Sequence, residues 1–179
     1  MIELILGGAR SGKSTLALQR AANSGKAVLF IATATASDDE MRERIARHRA
    51  ERPVEWRTIE APLRVAAALR EAPRDAFVIV DCLTLWLANV LFPAHGGANV
   101  CADDAVFKRE REALLSAVRE AACEGALVSN EVGLGIVPDN AVARRFRDEQ
   151  GSLNQQLAVL CERVTLVAAG IPLVLKQPE

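Results

Sequence analysis

The sequence is poor in the residues that would support binding to nucleic acid or to a membrane. Its 179 residues include no tyrosine and only 4% aromatic residues, so platforms for stacking bases are not expected. The 22 basic and 23 acidic residues give a formal net charge of −1, which supplies no field for attracting nucleic acid or an anionic lipid surface. We therefore expect neither nucleic acid nor a membrane among its partners.

Cysteines are few and scattered. None of the four forms a C-x-x-C pair; they are Cys82, Cys101, Cys123 and Cys161. This spacing favours reduced thiols over a disulfide framework or a zinc site. No apolar run reaches about 18 residues, the length of a membrane span. Because the first residues lead directly into a predicted strand, with no room for a signal peptide, we expect a cytoplasmic protein without a membrane span.

The sequence does contain an alternation of short apolar runs and helical patterns. A chain of 179 residues, half of them hydrophobic and a quarter charged, suits one domain spanning 1–179. Apolar runs predict buried strands at 2–6, 27–32, 77–81 and 127–131, as in a mostly parallel α/β sheet with helices on both faces. Two final strands, 164–168 and 173–176, are joined by a turn too short for a crossover, so we expect them to be antiparallel.

Helices and loops are predicted between these strands from periodicity and end signals. The predicted helices lie at 15–23, from Ser37 to just before Pro53, and at 61–72, 83–91, 103–124 and 140–161. A short strand is expected at 55–60 around Trp56, and exposed loops at 93–102, which contains His95, and at 133–138.

A glycine-rich segment follows the first strand and opens the first helix. It matches G-x-x-x-x-G-K-[ST], the phosphate-binding P-loop, with the residues Gly7, Gly8, Ala9, Arg10, Ser11, Gly12, Lys13 and Ser14. Such a loop points successive N–H groups at phosphate oxygens, and the helix N-terminus adds partial positive charge. The lysine reaches the β- and γ-phosphates, and the serine hydroxyl binds Mg²⁺. The alternative is a chance glycine-rich turn; the strand–loop–helix context favours a site for a nucleoside triphosphate.

An acid closes the strand at 77–81. Four apolar residues followed by Asp81 form a Walker-B pattern, in which the carboxylate holds a Mg²⁺-bound water opposite Ser14. The alternative is that Asp81 caps the helix that follows. The sequence favours the metal role, because a P-loop requires such a partner.

The P-loop by itself leaves the reaction open. No N-K-x-D base-reading motif follows a later strand, which argues against a switch GTPase. The match of Asp148-x-x-Gly151 to D-x-x-G falls inside a predicted helix and is interpreted as chance. A small-molecule kinase and a RecA-like ATPase, both three-layer P-loop NTPase folds, remain open.

The helix that opens at Ser37 carries one of the two histidines. His48 shares a face with Met41 and Ile45, and five arginines crowd the same region. From the residues alone, His48 reads as a partly buried helix histidine and the arginines as a solvated face. It lies about ten residues into the helix, roughly 15 Å from its start. For His48 to reach a phosphate on the P-loop, the helix must lie across the sheet edge or move between the two steps. Alternatively, another subunit completes the site.

Beyond the P-loop, several stretches together resemble one enzyme family nearly from end to end. These stretches are Gly7–Ser14, Ile31–Thr33, Asp38–Met41, Arg44–Arg49, Arg52–Pro53, Trp56–Thr58, Glu60, Asp81–Asn89, Asn130–Pro138, Phe146–Asp148 and Gly151–Gln155. The family is adenosylcobinamide kinase / adenosylcobinamide-phosphate guanylyltransferase, a bifunctional enzyme of cobalamin biosynthesis. One departure is Glu124-Gly125, where family members usually carry more apolar residues; the predicted strand begins after it, at residue 127.

The resemblance implies two reactions. A terminal phosphate passes from ATP or GTP to adenosylcobinamide with Mg²⁺ held at Ser14 and Asp81, and GMP then passes from GTP through a guanylyl-His48 adduct to adenosylcobinamide phosphate. His48 and Lys13 are the implied catalytic residues. Implied nucleotide contacts, besides the P-loop, are Ala32, Thr33, Ala34, Arg49, Ala50, Glu51, Arg52, Glu60 and Asp81. The family is oligomeric, so a homo-oligomer, with a trimer favoured, is expected.

Overall fold

The computed structural model describes residues 1–36, 39–50, 52–92 and 103–178. Its elements in chain order are β1 (Ile2–Gly7), α1 (Lys13–Asn23), β2 (Val28–Ala32), α2 (Asp39–Ala50), β3 (Arg57–Glu60), α3 (Val65–Arg70), β4 (Phe77–Asp81), α4 (Leu83–Leu91), α5 (Asp104–Glu120), β5 (Glu124–Asn130), α6 (Ala141–Leu160), β6 (Arg163–Ala168) and β7 (Ile171–Lys176). The strands form one sheet in the order β3-β2-β4-β5-β1-β6-β7.

The sheet is parallel except for its last strand. Each neighbouring pair from β3 to β6 is parallel, and β7 pairs antiparallel with β6 across a two-residue turn. The predicted α/β class with an antiparallel C-terminal strand is therefore confirmed. All of β1 is buried, because parallel strands covered on both faces expose neither side to water.

Helices cover both faces of the sheet. On one face, Leu4 and Leu6 of β1 belong to a core with Trp86 of α4 and Leu114 of α5. On the other face, Ile5 packs in a second core with Ala17 of α1. This alternation follows from the two-residue period of a strand, and it produces the three layers that the sequence predicts.

The boundary between α5 and β5 differs from the prediction. Helix α5 ends at Glu120 rather than at residue 124, and β5 begins at Glu124 rather than at residue 127. Gly125 pairs with Val78 of β4, and a Cβ at position 125 would lie 2.4 Å from the Val78 carbonyl oxygen. The close approach of two strands explains the glycine, so tertiary pairing outweighs the helical pattern of this stretch.

Other predicted bounds agree to different degrees. Helix α4 matches residue for residue and α6 to within a residue at each end, whereas α3 is shorter than the predicted 61–72 and β3 begins at Arg57. Helix α3 starts late because Ala61 N donates to Ala32 O at 2.8 Å and so continues the alignment with β2. The predicted cap at Ser37 and the loop at 93–102, with His95 and Cys101, lie outside the described residues.

Two expectations from the sequence were reduced cysteines and the lack of a membrane span. Cys82, Cys123 and Cys161 are buried free thiols, and burial raises the pKa of Cys161 to about 12. Within the described ranges, no helix is both long and apolar enough to cross a membrane.

Candidate active site

The P-loop connects β1 to α1 and is shaped by two glycines. A Cβ on Gly7 would lie 2.3 Å from the Val167 carbonyl oxygen, so no larger residue fits there. Gly12 adopts φ 100° and precedes α1 without a side-chain cap. The first turn of α1 therefore keeps its N–H groups for an anion, in the way that helix N-termini bind phosphate.

Lys13 is buried inside the curve of this loop. Its ammonium donates to the Gly8 carbonyl at 2.6 Å and to the Ser11 hydroxyl at 3.5 Å. A buried ammonium in the curve of the loop lies where a phosphate bound by the loop would accept a charge-assisted hydrogen bond from it.

The turn between β6 and β7 packs against the P-loop. Gly170 N donates to the Ser11 carbonyl at 2.8 Å, and a Cβ on Gly12 would lie 3.2 Å from Gly170 Cα. Ala169 and Gly170 both adopt positive φ in this turn. Sequence reasoning predicted the turn but not its contact with the phosphate loop, because nothing local in residues 169–170 indicates a partner so far away in the chain.

Asp81 ends β4 beside the P-loop serine. Burial raises the pKa of the Asp81 carboxyl, while a hydrogen bond with Ser14 and electrostatic interactions with His48, Arg52 and Lys13 act in the opposite direction. The N-cap of α4 is Cys82 and makes no side-chain cap bond, so Asp81 does not cap that helix. The Asp81–Cys82 peptide is cis.

The Ser14–Asp81 pair fits Mg²⁺. One carboxylate and one hydroxyl, in hydrogen-bond contact, are hard oxygen ligands of the kind Mg²⁺ uses alongside waters and phosphate oxygens. In the part of the chain that is described, no three His, Cys, Asp or Glu side chains cluster as a metal cage. A site with few protein ligands is what Mg²⁺ requires when it binds together with a nucleotide.

A cavity of about 380 Å³ opens next to this pair and extends to α2. It brings together eight residues that were expected at the site, namely Ser14, Ala32, Ala34, His48, Arg49, Arg52, Glu60 and Asp81. His48 of α2 thus faces the same space as the P-loop serine within one chain. Helix α2 therefore brings His48 to the same cavity as the P-loop serine without a residue from another subunit.

Helix α2 brings positive charge to the cavity. Its last turn carries Arg47, His48 and Arg49, and Arg52 follows just after it. The Arg52 guanidinium lies 3.5 Å from the centroid of the Phe30 ring, a cation–π contact that fixes its plane. Two arginines and a histidine that face a buried carboxylate form a binding surface for an anion such as a phosphate chain.

Two of the implied nucleotide contacts outside the P-loop, Thr33 and Ala50, do not line the cavity. Thr33 is fully buried, where its hydroxyl donates to Cys82 O at 2.7 Å and accepts from Cys82 N at 2.8 Å. This residue ties the end of β2 to the end of β4 behind the cavity, and its expected contact with the nucleotide stays a prediction. Ala50 is exposed outside the cavity lining, and Glu51 lies outside the described residues.

Part of the cavity wall was missed by sequence reasoning. The residues that line it without having been expected are Thr35, Ala36, Ile45, Thr58, Pro62, Cys82 and Leu85. One signal was available: Asn89 is a polar residue inside the apolar helix α4. Its amide donates to Thr33 O at 2.8 Å and to Pro62 O at 3.1 Å, so it fixes this wall.

The end of β5 is held by a buried polar cluster. Asn130 N donates to the Thr84 hydroxyl at 2.8 Å, and Asn130 O accepts from Asn154 Nδ2 at 3.0 Å. Ser129 and Gln150 hydrogen-bond to the same Asn154 side chain. Because β5 lies between β4 and β1, this cluster fixes the backbone between Asp81 and the P-loop.

Comparison with known proteins agrees with this geometry. The family model for cobinamide kinase / cobinamide phosphate guanyltransferase matches residues 3–175. The chain belongs to this family. It is 54% identical over 177 residues to the bifunctional adenosylcobalamin biosynthesis protein CobP of Pseudomonas aeruginosa, covering 98% of each chain. It is 40% identical over 184 residues to the protein of the same description, CobU, of Salmonella typhimurium, covering 98% of this chain and 100% of that one.

Solved structures that resemble the chain are distant in sequence. An ATPase from a bacterial type III secretion system gives a TM-score of 0.55 at 13% identity, covering 97% of this chain and 56% of that one. A KaiC-like protein from Pyrococcus horikoshii gives 0.51 at 14% identity, covering 99% and 79%. These likenesses confirm the P-loop NTPase fold.

Proposed function

We propose that this enzyme phosphorylates adenosylcobinamide with ATP or GTP, and then transfers GMP from GTP, through a guanylyl-His48 adduct, to adenosylcobinamide phosphate. The product is adenosylcobinamide-GDP, an intermediate of cobalamin biosynthesis. The observation that carries the proposal is the shared cavity, in which His48, Arg49 and Arg52 face Ser14 and Asp81. A kinase without a covalent step has no need of a histidine there.

In the kinase step the chain positions the phosphates. The P-loop N–H groups and Lys13 bind the β- and γ-phosphates. Ser14 and Asp81 would hold Mg²⁺, which would neutralise charge on the phosphate chain. The acceptor oxygen forms a bond to the γ-phosphorus while the bond from that phosphorus to the β–γ bridging oxygen breaks, and the hydroxyl proton passes to solvent water. ADP or GDP leaves with the electron pair.

In the second step His48 is the nucleophile. A ring nitrogen of neutral imidazole forms a bond to the α-phosphorus of GTP, and the bond to the pyrophosphate oxygen breaks. A phosphate oxygen of the second acceptor then attacks the same phosphorus and displaces the imidazole. Arg49 and Arg52 stabilise the charge that develops on the phosphate oxygens.

We also propose a homo-oligomer, with a trimer expected from the family resemblance. Support comes from β7, an edge strand on which four apolar side chains, those of Ile171, Leu173, Val174 and Leu175, are exposed. Exposed apolar edges are normally covered in solution. Light scattering on the purified protein would measure the mass, and a monomer at micromolar concentration would contradict this part of the proposal.

The covalent step is tested with GTP labelled at the α-phosphorus. The wild-type protein should retain label that resists base and is released by acid, as a P–N bond is. His48→Asn should retain none and form no adenosylcobinamide-GDP, while still phosphorylating adenosylcobinamide. His95→Asn, which changes the chain's only other histidine, is the control and should behave as wild type.

The rival reading is a kinase with one activity and no covalent step. It predicts no acid-labile label on the wild-type protein. Label that persists in His48→Asn would place the nucleophile elsewhere, and loss of both activities from a folded variant would assign His48 to the shared triphosphate site.

A further inference from the structure

The loop between β5 and α6 exposes apolar side chains at the active edge of the sheet. Leu134 is 89% exposed, Ile136 97% and Val137 56%. Leu134 lies between Gly133 and Gly135, and Ile136 and Val137 follow directly. Singly exposed apolar residues are ordinary, but three in one short segment form a patch of the kind that marks a binding surface.

The upstream end of this loop is anchored to the P-loop strand. Glu131 N donates to the Gly7 carbonyl at 3.1 Å, and the Glu131 carboxylate accepts from Gly133 N at 2.6 Å. The preceding residue, Asn130, is held at both its N–H and its carbonyl by Thr84 and Asn154. The loop therefore leaves the sheet at a fixed point directly beside the first residue of the phosphate loop.

The downstream end is anchored as well. Arg144 of α6 donates through Nη1 to the carbonyls of Pro138, at 3.0 Å, and Asp139, at 2.7 Å. Asn140 caps the same helix by accepting from Ala143 N at 2.7 Å. Since both ends are hydrogen-bonded, the apolar side chains are presented by an ordered support and are not exposed through fraying of a free end.

Position distinguishes this loop from the cavity. The cavity walls come from β2, β4, α2 and the segments next to them, and no residue of 131–138 lines it. The loop follows β5, on the P-loop side of Asp81. A kinase acceptor must bring its hydroxyl to the terminal phosphate, which lies between Asp81 and the P-loop, so the bulk of the acceptor has to rest on a neighbouring surface.

We propose that Leu134, Ile136 and Val137 form the surface that binds the corrin macrocycle of the acceptor. This rests on the proposed function. The macrocycle has methyl-bearing faces and a rim of neutral amides. The loop suits it because Glu131 is the single charged residue between 131 and 138, and its carboxylate is hydrogen-bonded to the loop's own backbone. The same ring is carried by both acceptors, so one surface serves both reactions.

The test is the double variant Leu134→Ser/Ile136→Ser, assayed with adenosylcobinamide and with its phosphate. Loss of two apolar contacts should raise KM for each acceptor by about tenfold or more. KM for ATP and the yield of guanylyl-protein from labelled GTP should stay at wild-type values, because neither requires the corrinoid. The double variant Val54→Ser/Val106→Ser removes two other exposed apolar side chains and should change none of these quantities.

Several outcomes would overturn the inference. Unchanged acceptor KM values, or an equal rise in the control variant, would show that the loop does not bind the ring. A parallel loss of guanylyl-protein yield would make the loop a structural support for the nucleotide site, and a changed oligomer mass would assign it to a subunit contact. Failure of the proposed function itself would appear differently, as a wild-type protein that does not turn over adenosylcobinamide at all.

Discussion

The P-loop and helix α2 reach the same cavity by opposite routes. The P-loop is continuous in sequence, and Ser11 and Lys13 are buried against backbone carbonyls and the β6–β7 turn. Helix α2 lies on the surface: Ile45 and His48 are half-buried, whereas Arg42, Glu43, Arg47 and Arg49 are exposed. One half of the site is thus part of the core, and the other is laid over it.

The difference in burial predicts different effects of substitutions in the P-loop and on α2. A residue in the P-loop makes buried contacts that the fold itself uses, so changing it affects both packing and catalysis. A residue on the cavity side of α2 makes few buried contacts, so changing it should affect catalysis alone. Four predictions test this division, from the largest expected effect to the smallest.

Lys13→Ala should lower the kinase rate by about 10²–10³-fold or more, because the ammonium is expected to neutralise the β–γ bridge as charge develops. The measurement is steady-state phosphorylation of adenosylcobinamide at saturating ATP. Lys26→Ala is the matched control, since Lys26 forms an ion pair with Glu124 at 2.9 Å and lies outside the P-loop. A near-normal rate in Lys13→Ala would contradict the role of the P-loop.

Asp81→Asn should slow phosphoryl transfer and weaken its dependence on Mg²⁺, yet stabilise the metal-free protein. Burial raises the pKa of Asp81, so the folded state binds a proton there more readily than the unfolded chain. Above the pKa of the unfolded carboxyl, ionisation of Asp81 therefore lowers the free energy of unfolding. Asparagine at this position carries no charge, so it does not cause this loss of stability. Thermal melts with and without Mg²⁺–ATP should show opposite effects; a lower melting temperature without metal would be inconsistent with this account.

Just after α2, Arg52→Gln should lower formation of guanylyl-protein by about tenfold or more and leave the melting temperature close to the wild-type value, because the guanidinium is expected to bind phosphate and the side chain is only half-buried. In Arg52→Lys, formation of guanylyl-protein should lie between the wild-type value and that of Arg52→Gln, since lysine keeps the charge but lacks the planar guanidinium over Phe30. Arg42→Gln, on α2 itself, is the control; Arg42 pairs with Asp39 and does not line the cavity. An unstable Arg52→Gln would show that α2 contributes to the core after all.

Gly125→Ala should cost about 1–3 kcal/mol of stability, because its Cβ would press on the Val78 carbonyl in the sheet that both halves share. Gly151→Ala is its opposite: the glycine lies inside α6 with open space at its Cβ, so alanine should stabilise by about 0.5–1 kcal/mol. Urea unfolding measures both, and neither should change the acceptor or nucleotide KM. Equal effects of the two substitutions would mean that strand contact does not explain Gly125.

Sequence reasoning succeeded where the signal was local. Helix α4 was predicted residue for residue, because an apolar run is bounded by a strand on one side and by Pro93 on the other. It failed at the end of α5, where Ala121, Ala122 and Cys123 continue a helical pattern but the chain has already turned to pair with β4. Propensity there is weak, and a strand partner from another part of the chain decides the conformation.

By itself, the sequence determined the α/β class, the phosphate loop and the position of Asp81 at the end of a buried strand, because each depends on residues adjacent in the chain. Tertiary structure alone decided that His48 faces Ser14 and Asp81, that Thr33 is buried behind the cavity, and that Gly170 supports Ser11. These residues lie far apart in the sequence and carry no local signal of their partners. These residues meet only when the parallel strands align their carboxyl ends at one edge of the sheet. The spatial order of the strands in the sheet, which differs from their order along the chain, decides which ends are neighbours.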